Sequence, residues 1–218
     1  MKRNRKAKII ATLGPKTSNA NVIEKLFKAG TDVFRLNFSH GTIEDHRKNI
    51  EYVRLLEEKY DHSSCIIADL QGPKLRIGNF LNKKVKLKKG QKFILDLNNE
   101  PGDKNRVSFP HKDIFDILTP NTIILIDDGK IKMQIIKQDN KSLTSEVLND
   151  CEISDNKGVN IPDAILPISS LTSKDKIDLN KAIDMGADWI ALSFIQSVDD
   201  VIELRKLIGN KAAIIAKI

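Results

Sequence analysis

Three charged residues lie inside otherwise apolar stretches of this sequence, where they could do chemistry. Arg35 lies in DVFRLNFS, Asp69 in CIIADLQG and Lys217 in AAIIAKI. A charged group in an apolar stretch costs free energy unless it is paired or functional. Arginine can form a forked pair of hydrogen bonds with phosphate oxygens, and lysine offers a compact positive charge to an oxygen that becomes negative. The residue types therefore indicate recognition of a small phosphorylated anion.

Further residues, most of them polar, lie at or near the carboxyl ends of the strands that the apolar stretches predict. They are Thr12, Gly14 and Pro15, then Asn37, Ser39 and His40, then Arg76, and finally Ser193. Asn37, Ser39 and Asp69 carry hard oxygens that suit a cation. Each also has an ordinary interpretation, with Ser39 as a helix cap, Asn37 as a turn residue and His40 as a structural histidine. The sequence contains no Walker A motif and no G-x-G-x-x-G, so the common nucleotide-binding folds are not indicated.

The elements that would position these residues alternate between strands and helices. Nearly continuous apolar stretches predict buried parallel strands at 8–14, 32–39, 65–72, 189–195 and 212–218. Helices between them are indicated by Gly30 as a C-terminal stop and by start signals at Thr42 with Asp45, Thr172 with Asp175, and Ser197 with Asp200. Such a βαβ pattern fits either a doubly wound sheet or a β/α barrel, and periodicity does not choose between them.

The segment 77–165 has a different pattern. Short alternating stretches such as KFILDL at 92–97 are separated by turn residues, and the Asp128–Gly129 pair is typical of a hairpin. The sequence therefore predicts a small all-β insertion between the third strand and the helix that should follow it. In a barrel, that end is where loops build active sites.

Composition excludes several classes of protein. The formal charge is +7, from 36 Lys and Arg against 29 Asp and Glu, but the basic excess is concentrated at 2–8 and 82–92. Aromatic residues make up 5% and do not interleave these runs, which disfavours nucleic-acid binding. Cys65 and Cys151 lack metal or disulfide spacing, and the apolar run Ile9–Ala11 is too short to span a membrane. We expect a soluble cytoplasmic protein.

Motifs along almost the whole chain resemble those of the pyruvate kinase family, in the same order. They are KIIATLGP, RLNFSHG, GPKLRIG, ILIDDG, KGVNIP, SKDKIDL, GADWIALSFI and IIAKI. The resemblance implies an α/β fold of the TIM type, a (β/α)8 barrel represented by its strands 1 to 5, with an inserted all-β lid domain. The implied limits are 1–76 and 166–218 for the barrel and 77–165 for the lid. The implied reaction is phosphoryl transfer between phosphoenolpyruvate and ADP, which gives pyruvate and ATP.

The resemblance also implies roles for individual residues. Arg35 would contact the phosphoryl group, and Lys217 would be the catalytic lysine that stabilises charge on the phosphoryl group in flight and on the enolate oxygen. Both would bind phosphoenolpyruvate. The nucleotide phosphates would contact Asn37, His40, Arg76 and Lys157. The family's potassium site corresponds to Asn37, Ser39, Asp69 and the carbonyl of Leu70.

The sequence departs from the potassium-dependent pattern of the family. Lys74 stands where those members have Glu, together with Leu70, Gln71 and Ile77, the combination of a potassium-independent subgroup. We therefore expect that K⁺ is not required. The resemblance implies that Mg²⁺ is required, with ligands on strands that would follow Ile218, and that the full-length enzyme is a homotetramer.

Five strands of an eight-stranded barrel leave sheet edges open, so we expect the 218-residue chain alone to be inactive. The alternative is a noncatalytic remnant or a truncated fragment that binds phosphate ligands weakly. A third interpretation is a basic protein that binds nucleic acid. Binding measurements over a range of salt concentrations that showed no affinity for nucleic acid would exclude it.

Overall fold

The chain divides into two compact units in a computed structural model that describes residues 5–162 and 164–218. Unit 1 is discontinuous and comprises Met1–Pro73 and Ser169–Ile218, whereas unit 2 is the continuous segment Lys74–Ile168. Each unit has its own cluster of buried hydrophobic side chains. The assignment of barrel and lid domains with limits at 76/77 and 165/166 stays a prediction.

Thirteen strands and five helices are described in these residues. In chain order they are β1 (Ile10–Leu13), α1 (Ala20–Ala29), β2 (Val33–Asn37), α2 (Ile43–Tyr60), β3 (Cys65–Asp69), β4 (Lys84–Leu87), β5 (Lys92–Asp96), β6 (Arg106–Ser108), α3 (Lys112–Phe115), β7 (Ile123–Ile126), β8 (Ile131–Gln138), β9 (Ser142–Val147), β10 (Cys151–Ser154), β11 (Val159–Asn160), α4 (Ser173–Asp184), β12 (Trp189–Leu192), α5 (Val198–Ile208) and β13 (Ala213–Ala216). None of the helices in the described residues is long and apolar enough for a membrane span.

Unit 1 contains one sheet with the strand order β1-β2-β3-β12-β13, in which all neighbours are parallel. A doubly wound sheet reverses its order at a switch point, and this sheet does not. The order is the one that a β/α barrel requires. Asp69 pairs in register with Asn37 on one side and Ala191 on the other, so polar strand ends lie level at the carboxyl edge.

The predicted helix ends of unit 1 are confirmed. Thr42 with Asp45 and Thr172 with Asp175 form reciprocal capping boxes at the starts of α2 and α4. At the start of α5, the carboxylate of Asp200 accepts a hydrogen bond from the backbone N–H of Ser197. Gly30 ends α1 with a φ of 111°, a left-handed conformation that favours glycine. These local signals determine the residues at which the helices begin or end.

Unit 2 contains a six-stranded sheet of order β11-β7-β8-β9-β5-β6 and a two-stranded sheet of β10 and β4. The predicted hairpin is confirmed, since β7 and β8 pair antiparallel across residues 127–130. Alternate side chains of β8 are buried at its start, as a sheet with one covered face requires. The all-β prediction missed α3, a single helical turn after Pro110 that buries Ile114 and Phe115.

Candidate functional site

The carboxylate of Asp69 lies at the centre of the candidate site, at the end of β3. Asp69 is 2% exposed, and both of its oxygens accept hydrogen bonds from cations. Arg35 donates from Nε and Nη2 to Oδ2 at 2.7 and 2.5 Å, while Lys217 Nζ lies 2.8 Å from Oδ1 and 3.0 Å from Oδ2. The fold thus brings together the three charged residues singled out in the sequence. Two cations share one carboxylate, so the cluster keeps an excess of positive charge.

Two hydroxyl groups complete this network. Lys217 Nζ also donates to Ser193 Oγ at 2.9 Å, and Ser193 in turn donates to the carbonyl of Leu70 at 3.1 Å. Arg35 donates from Nη1 to Thr12 Oγ1 at 3.0 Å. Ser193 and Thr12 lie at predicted strand ends, and their sequence positions alone indicated no role for them. Because each contacts one cation of the cluster, both orient groups that could contact a ligand.

The turn after β2 carries three further candidates. The backbone N–H of Ser39 donates to Asn37 Oδ1 at 3.0 Å, so Asn37 has the turn role that was one of its alternatives. Ser39 is not the helix cap, since Thr42 occupies that position. His40 is exposed and is therefore not a buried structural histidine. The N–H of Phe38 donates to the carbonyl of Asp69 at 2.9 Å, which ties this turn to the end of β3.

Two of the nucleotide-site candidates lie in unit 2. Arg76 donates from Nη1 to the carbonyl of Asn156 at 2.6 Å, and Lys157 Nζ pairs with Asp127 Oδ1 at 2.9 Å. Hydrogen bonds from Lys157 and then Lys130 lower the pKa of Asp127. Because the N–H of Ile77 donates to the carbonyl of Lys157, Arg76 and Lys157 lie on adjacent stretches of this unit. Lys74 also belongs to unit 2.

Thiol chemistry is not favoured. Burial, followed by the nearby Asp188, raises the pKa of the Cys65 thiol to about 11, and burial also raises the pKa of Cys151. The nucleophile is the thiolate, so neither side chain is activated at neutral pH. Recognition of an anion by Arg35 and Lys217 is the chemistry that this site favours.

The residues were also tested for their fit to the two implied metal ions. Within 5–162 and 164–218, no group of three or more His, Cys, Asp or Glu side chains is arranged to hold a metal ion. At the predicted potassium site, the Asp69 carboxylate is already neutralised by Arg35 and Lys217, and the Leu70 carbonyl accepts from Ser193. That arrangement leaves little uncompensated negative charge for a monovalent cation.

Comparisons with known proteins agree on one family. The family described as "Pyruvate kinase, barrel domain" matches residues 4–218. The chain is 44% identical to a pyruvate kinase of Agrobacterium vitis over all of its length and 45% of that protein, and 44% identical to one of Methylorubrum extorquens over all of its length and 46% of that protein. It is 38% identical to a pyruvate kinase of Thermococcus litoralis, over 98% of the chain and 46% of that protein. The chain thus spans less than half the length of these relatives. With its parallel sheet and its match over nearly every residue, the chain belongs to the pyruvate kinase family.

Proposed function

We propose that this chain supplies the phosphoryl-binding part of a pyruvate kinase active site. The reaction is the transfer of a phosphoryl group from phosphoenolpyruvate to ADP, which gives pyruvate and ATP. The observation that carries the proposal is the network in which the buried Asp69 pairs with Arg35 and Lys217 at the carboxyl ends of parallel strands. In a β/α barrel, that edge is where catalytic residues lie.

The network suits an electrostatic mechanism. A guanidinium has five N–H donors, and Arg35 uses three of them, on Asp69 and Thr12. The two that remain, one on each terminal nitrogen, can fork onto phosphoryl oxygens. In the transfer, the bond from phosphorus to the enol oxygen breaks while a bond to a β-phosphate oxygen of ADP forms. Lys217 then stabilises the negative charge on the enolate oxygen, and carbon is protonated afterwards.

Asp69 gives the two cations a fixed geometry rather than cancelling their function. Its single charge is shared between Arg35 and Lys217, and it is almost inaccessible to solvent. A preorganised cation needs no reorganisation when charge develops on the substrate, which is why such groups lower the barrier. Asp69 is thus proposed as a positioning residue rather than a ligand of potassium.

The nucleotide part of the proposal assigns Asn37, His40, Arg76 and Lys157 to the phosphates of ADP or ATP. The support is their match to the family motifs, together with the fixed backbone of the turn that carries Asn37 and His40. Mg²⁺ is proposed as a cofactor of the complete protein, where it would neutralise phosphate charge. The homotetramer and the cytoplasmic location also stay predictions.

K⁺ is proposed to be dispensable. Lys74 in place of Glu adds a positive charge, and Arg35 and Lys217 already neutralise Asp69. The test compares activity in potassium, sodium and tetramethylammonium, then repeats it with Lys74→Glu. Strong potassium activation of the unmutated protein would contradict this proposal.

The experiment that tests the main proposal measures ATP formation from phosphoenolpyruvate and ADP in the presence of Mg²⁺. It uses the protein expressed from the complete reading frame that contains these residues. We expect turnover, and we expect Arg35→Lys to raise the KM for phosphoenolpyruvate about tenfold or more, because lysine cannot supply the fork. Arg47→Lys, an exposed change on α2, is the matched control. Phosphoenolpyruvate binding without any ATP formation would instead support the noncatalytic alternative.

A further inference from the structure

The turn of residues 38–41, named here the 38–41 turn, is held by two side chains that no role above uses. His46, on α2, contacts the carbonyl oxygen of His40 through Nε2 at 3.0 Å. Lys174, on α4, donates from Nζ to the carbonyl oxygen of Phe38 at 2.9 Å. Two helices therefore hold two backbone carbonyls of the turn, on either side of Ser39.

His46 is built to hold this position. It is 6% exposed, and its ring stacks on Phe38 with ring centroids 4.3 Å apart. A carbonyl oxygen can only accept a hydrogen bond, so His46 donates from Nε2. Within the described residues, the other ring nitrogen, Nδ1, is buried without a hydrogen-bond partner. Burial lowers the pKa of His46, so the neutral Nε2–H form is the one present near neutral pH.

Lys174 connects the same turn to a second helix. Its ammonium also pairs with the carboxylate of Asp178, one turn further along α4, which is 6% exposed. The N–H of Phe38 donates to the carbonyl of Asp69. Both backbone groups of Phe38 are thus held, one by α4 and one by the strand end that carries the catalytic network.

We propose that His46 and Lys174 are positioning residues for the nucleoside diphosphate, acting through the 38–41 turn. This inference rests on the proposed function. Within the 38–41 turn, the two side chains form hydrogen bonds only with backbone carbonyls, so they do not occupy the side chains of Ser39 and His40. Asn37, which directly precedes the turn, and His40, whose own carbonyl oxygen is held, are the residues proposed to contact the nucleotide phosphates. A loosened turn should therefore weaken ADP binding, while the Arg35, Asp69 and Lys217 network keeps its geometry.

The test uses paired substitutions in the complete protein. His46→Phe keeps an aromatic ring against Phe38 but removes the donor, and we expect it to raise the KM for ADP about tenfold with little change in the KM for phosphoenolpyruvate. His46→Gln places an amide N–H near the former Nε2 position and should restore part of the ADP affinity. A role in stability alone would not separate the two substrates and would not respond to a restored donor.

Substitution of Lys174 gives a second, independent test. Its side chain is 52% exposed, so its replacement should not prevent folding. We expect Lys174→Met to raise the KM for ADP several-fold, whereas Lys176→Met, which removes an ion pair with Glu203 from the same helix, should not. An unchanged KM for ADP in both His46→Phe and Lys174→Met would overturn the inference. So would equal increases in KM for both substrates.

The failure of this inference can be told apart from the failure of the proposed function. If the unmutated protein makes no ATP, the proposed function fails, and ADP binding is then measured directly by calorimetry. Weaker ADP binding by His46→Phe, with partial recovery in His46→Gln, would still support the positioning role. Equal ADP affinity of the unmutated protein and of His46→Phe would overturn it.

Discussion

The two units differ in what they bury. Unit 1 buries four ionisable side chains, namely His46, Asp69, Asp175 and Asp178, whereas the buried polar side chains described in unit 2 are Ser108 and Ser145. A buried ionisable group destabilises a fold unless it is paired and hydrogen-bonded. Unit 1 therefore holds ionisable groups inside its structure, and Asp69 of the candidate site is one of them. Unit 2 carries an apolar core whose contribution is stability.

They differ also in continuity. Unit 2 is one segment, in which the consecutive strands β7, β8 and β9 pair antiparallel with one another. Unit 1 needs two segments, because β12 must pair with β3 across all of unit 2. Local pairing favours independent folding. We therefore expect the two units to unfold as separate transitions, with unit 2 the more independent.

The sharpest test of this difference is a large-to-small substitution in each core. Phe93 in unit 2 and Phe34 in unit 1 are both fully buried, and replacing either with Ala should cost about 3–5 kcal/mol. Trp189 is the single tryptophan and lies in β12, so its fluorescence reports on unit 1. In urea, Phe34→Ala should shift the unfolding transition of unit 1, which is followed by Trp189 fluorescence. Phe93→Ala should leave that transition unchanged and shift only the transition of unit 2, which is followed by circular dichroism. Leu55→Ala, at an exposed position of α2, is the control. A single common shift in both mutants would show that the units unfold together.

Next in size is the effect of Lys217, the proposed catalytic lysine. Lys217→Ala should lower kcat by about 10²–10³-fold, because it removes a preorganised cation from charge that develops in the transition state. Lys211→Ala, an exposed change just before β13, should leave kcat within about twofold. Steady-state ATP formation measures both. If the two substitutions lowered kcat equally, Lys217 would have no special role in the reaction.

A smaller effect is expected at the start of α4. Thr172→Ala removes the hydroxyl that accepts from the N–H of Asp175 at 3.1 Å, and should destabilise unit 1 by about 1 kcal/mol. Thr172→Ser keeps the hydroxyl and should restore most of the loss. The Trp189 transition in urea is the measurement. If Thr172→Ala moved only the circular dichroism transition of unit 2, the cap would not belong to unit 1.

The smallest expected effect is one of pH. Burial lowers the pKa of His46 in unit 1 and of His111 in unit 2, and hydrogen bonds to backbone carbonyls oppose the shift in part. The unfolded chain takes up a proton near the ordinary pKa of about 6.5 while the folded protein resists it. Stability is therefore full above that pH and falls as the pH drops through it. His46→Gln should flatten the pH dependence of the Trp189 transition below about pH 7. An unchanged slope would show that His46 is not its source.

Local patterns predicted local structure well. Thr42 and Thr172 were placed correctly at helix starts because a cap depends on residues three apart. Arg35, Asp69 and Lys217 were found because charge inside an apolar stretch is conspicuous in sequence. Their mutual contacts were not predicted, and Asp69 was assigned to a cation instead. Lys217 and Asp69 are 148 residues apart, so only the strand register brings them together.

Other parts had no local signal. α3 has four residues, too few for helical periodicity to appear. His46 lies in the first turns of an amphipathic helix with charged neighbours, where a histidine looks like a surface residue. Lys174 contacts the Phe38 carbonyl 136 residues away, and a lysine on a charged helix gives no hint of that partner. The residues that support a site are harder to predict than those that form it.

The backbone contact between Leu75 and Val159 also bears on how the chain folds during synthesis. The N–H of Val159 donates to the carbonyl of Leu75 at 2.9 Å and so joins the two ends of unit 2. Asp188 must reach the N–H of Ile66, 122 residues away, before the parallel sheet can be completed. With unit 2 folded first, the effective loop shortens to roughly 40 residues, which lowers its closure entropy by about 1 kcal/mol. Unit 2 is synthesised before β12, so the order of translation favours the sequence of events in which unit 2 forms first and shortens this loop.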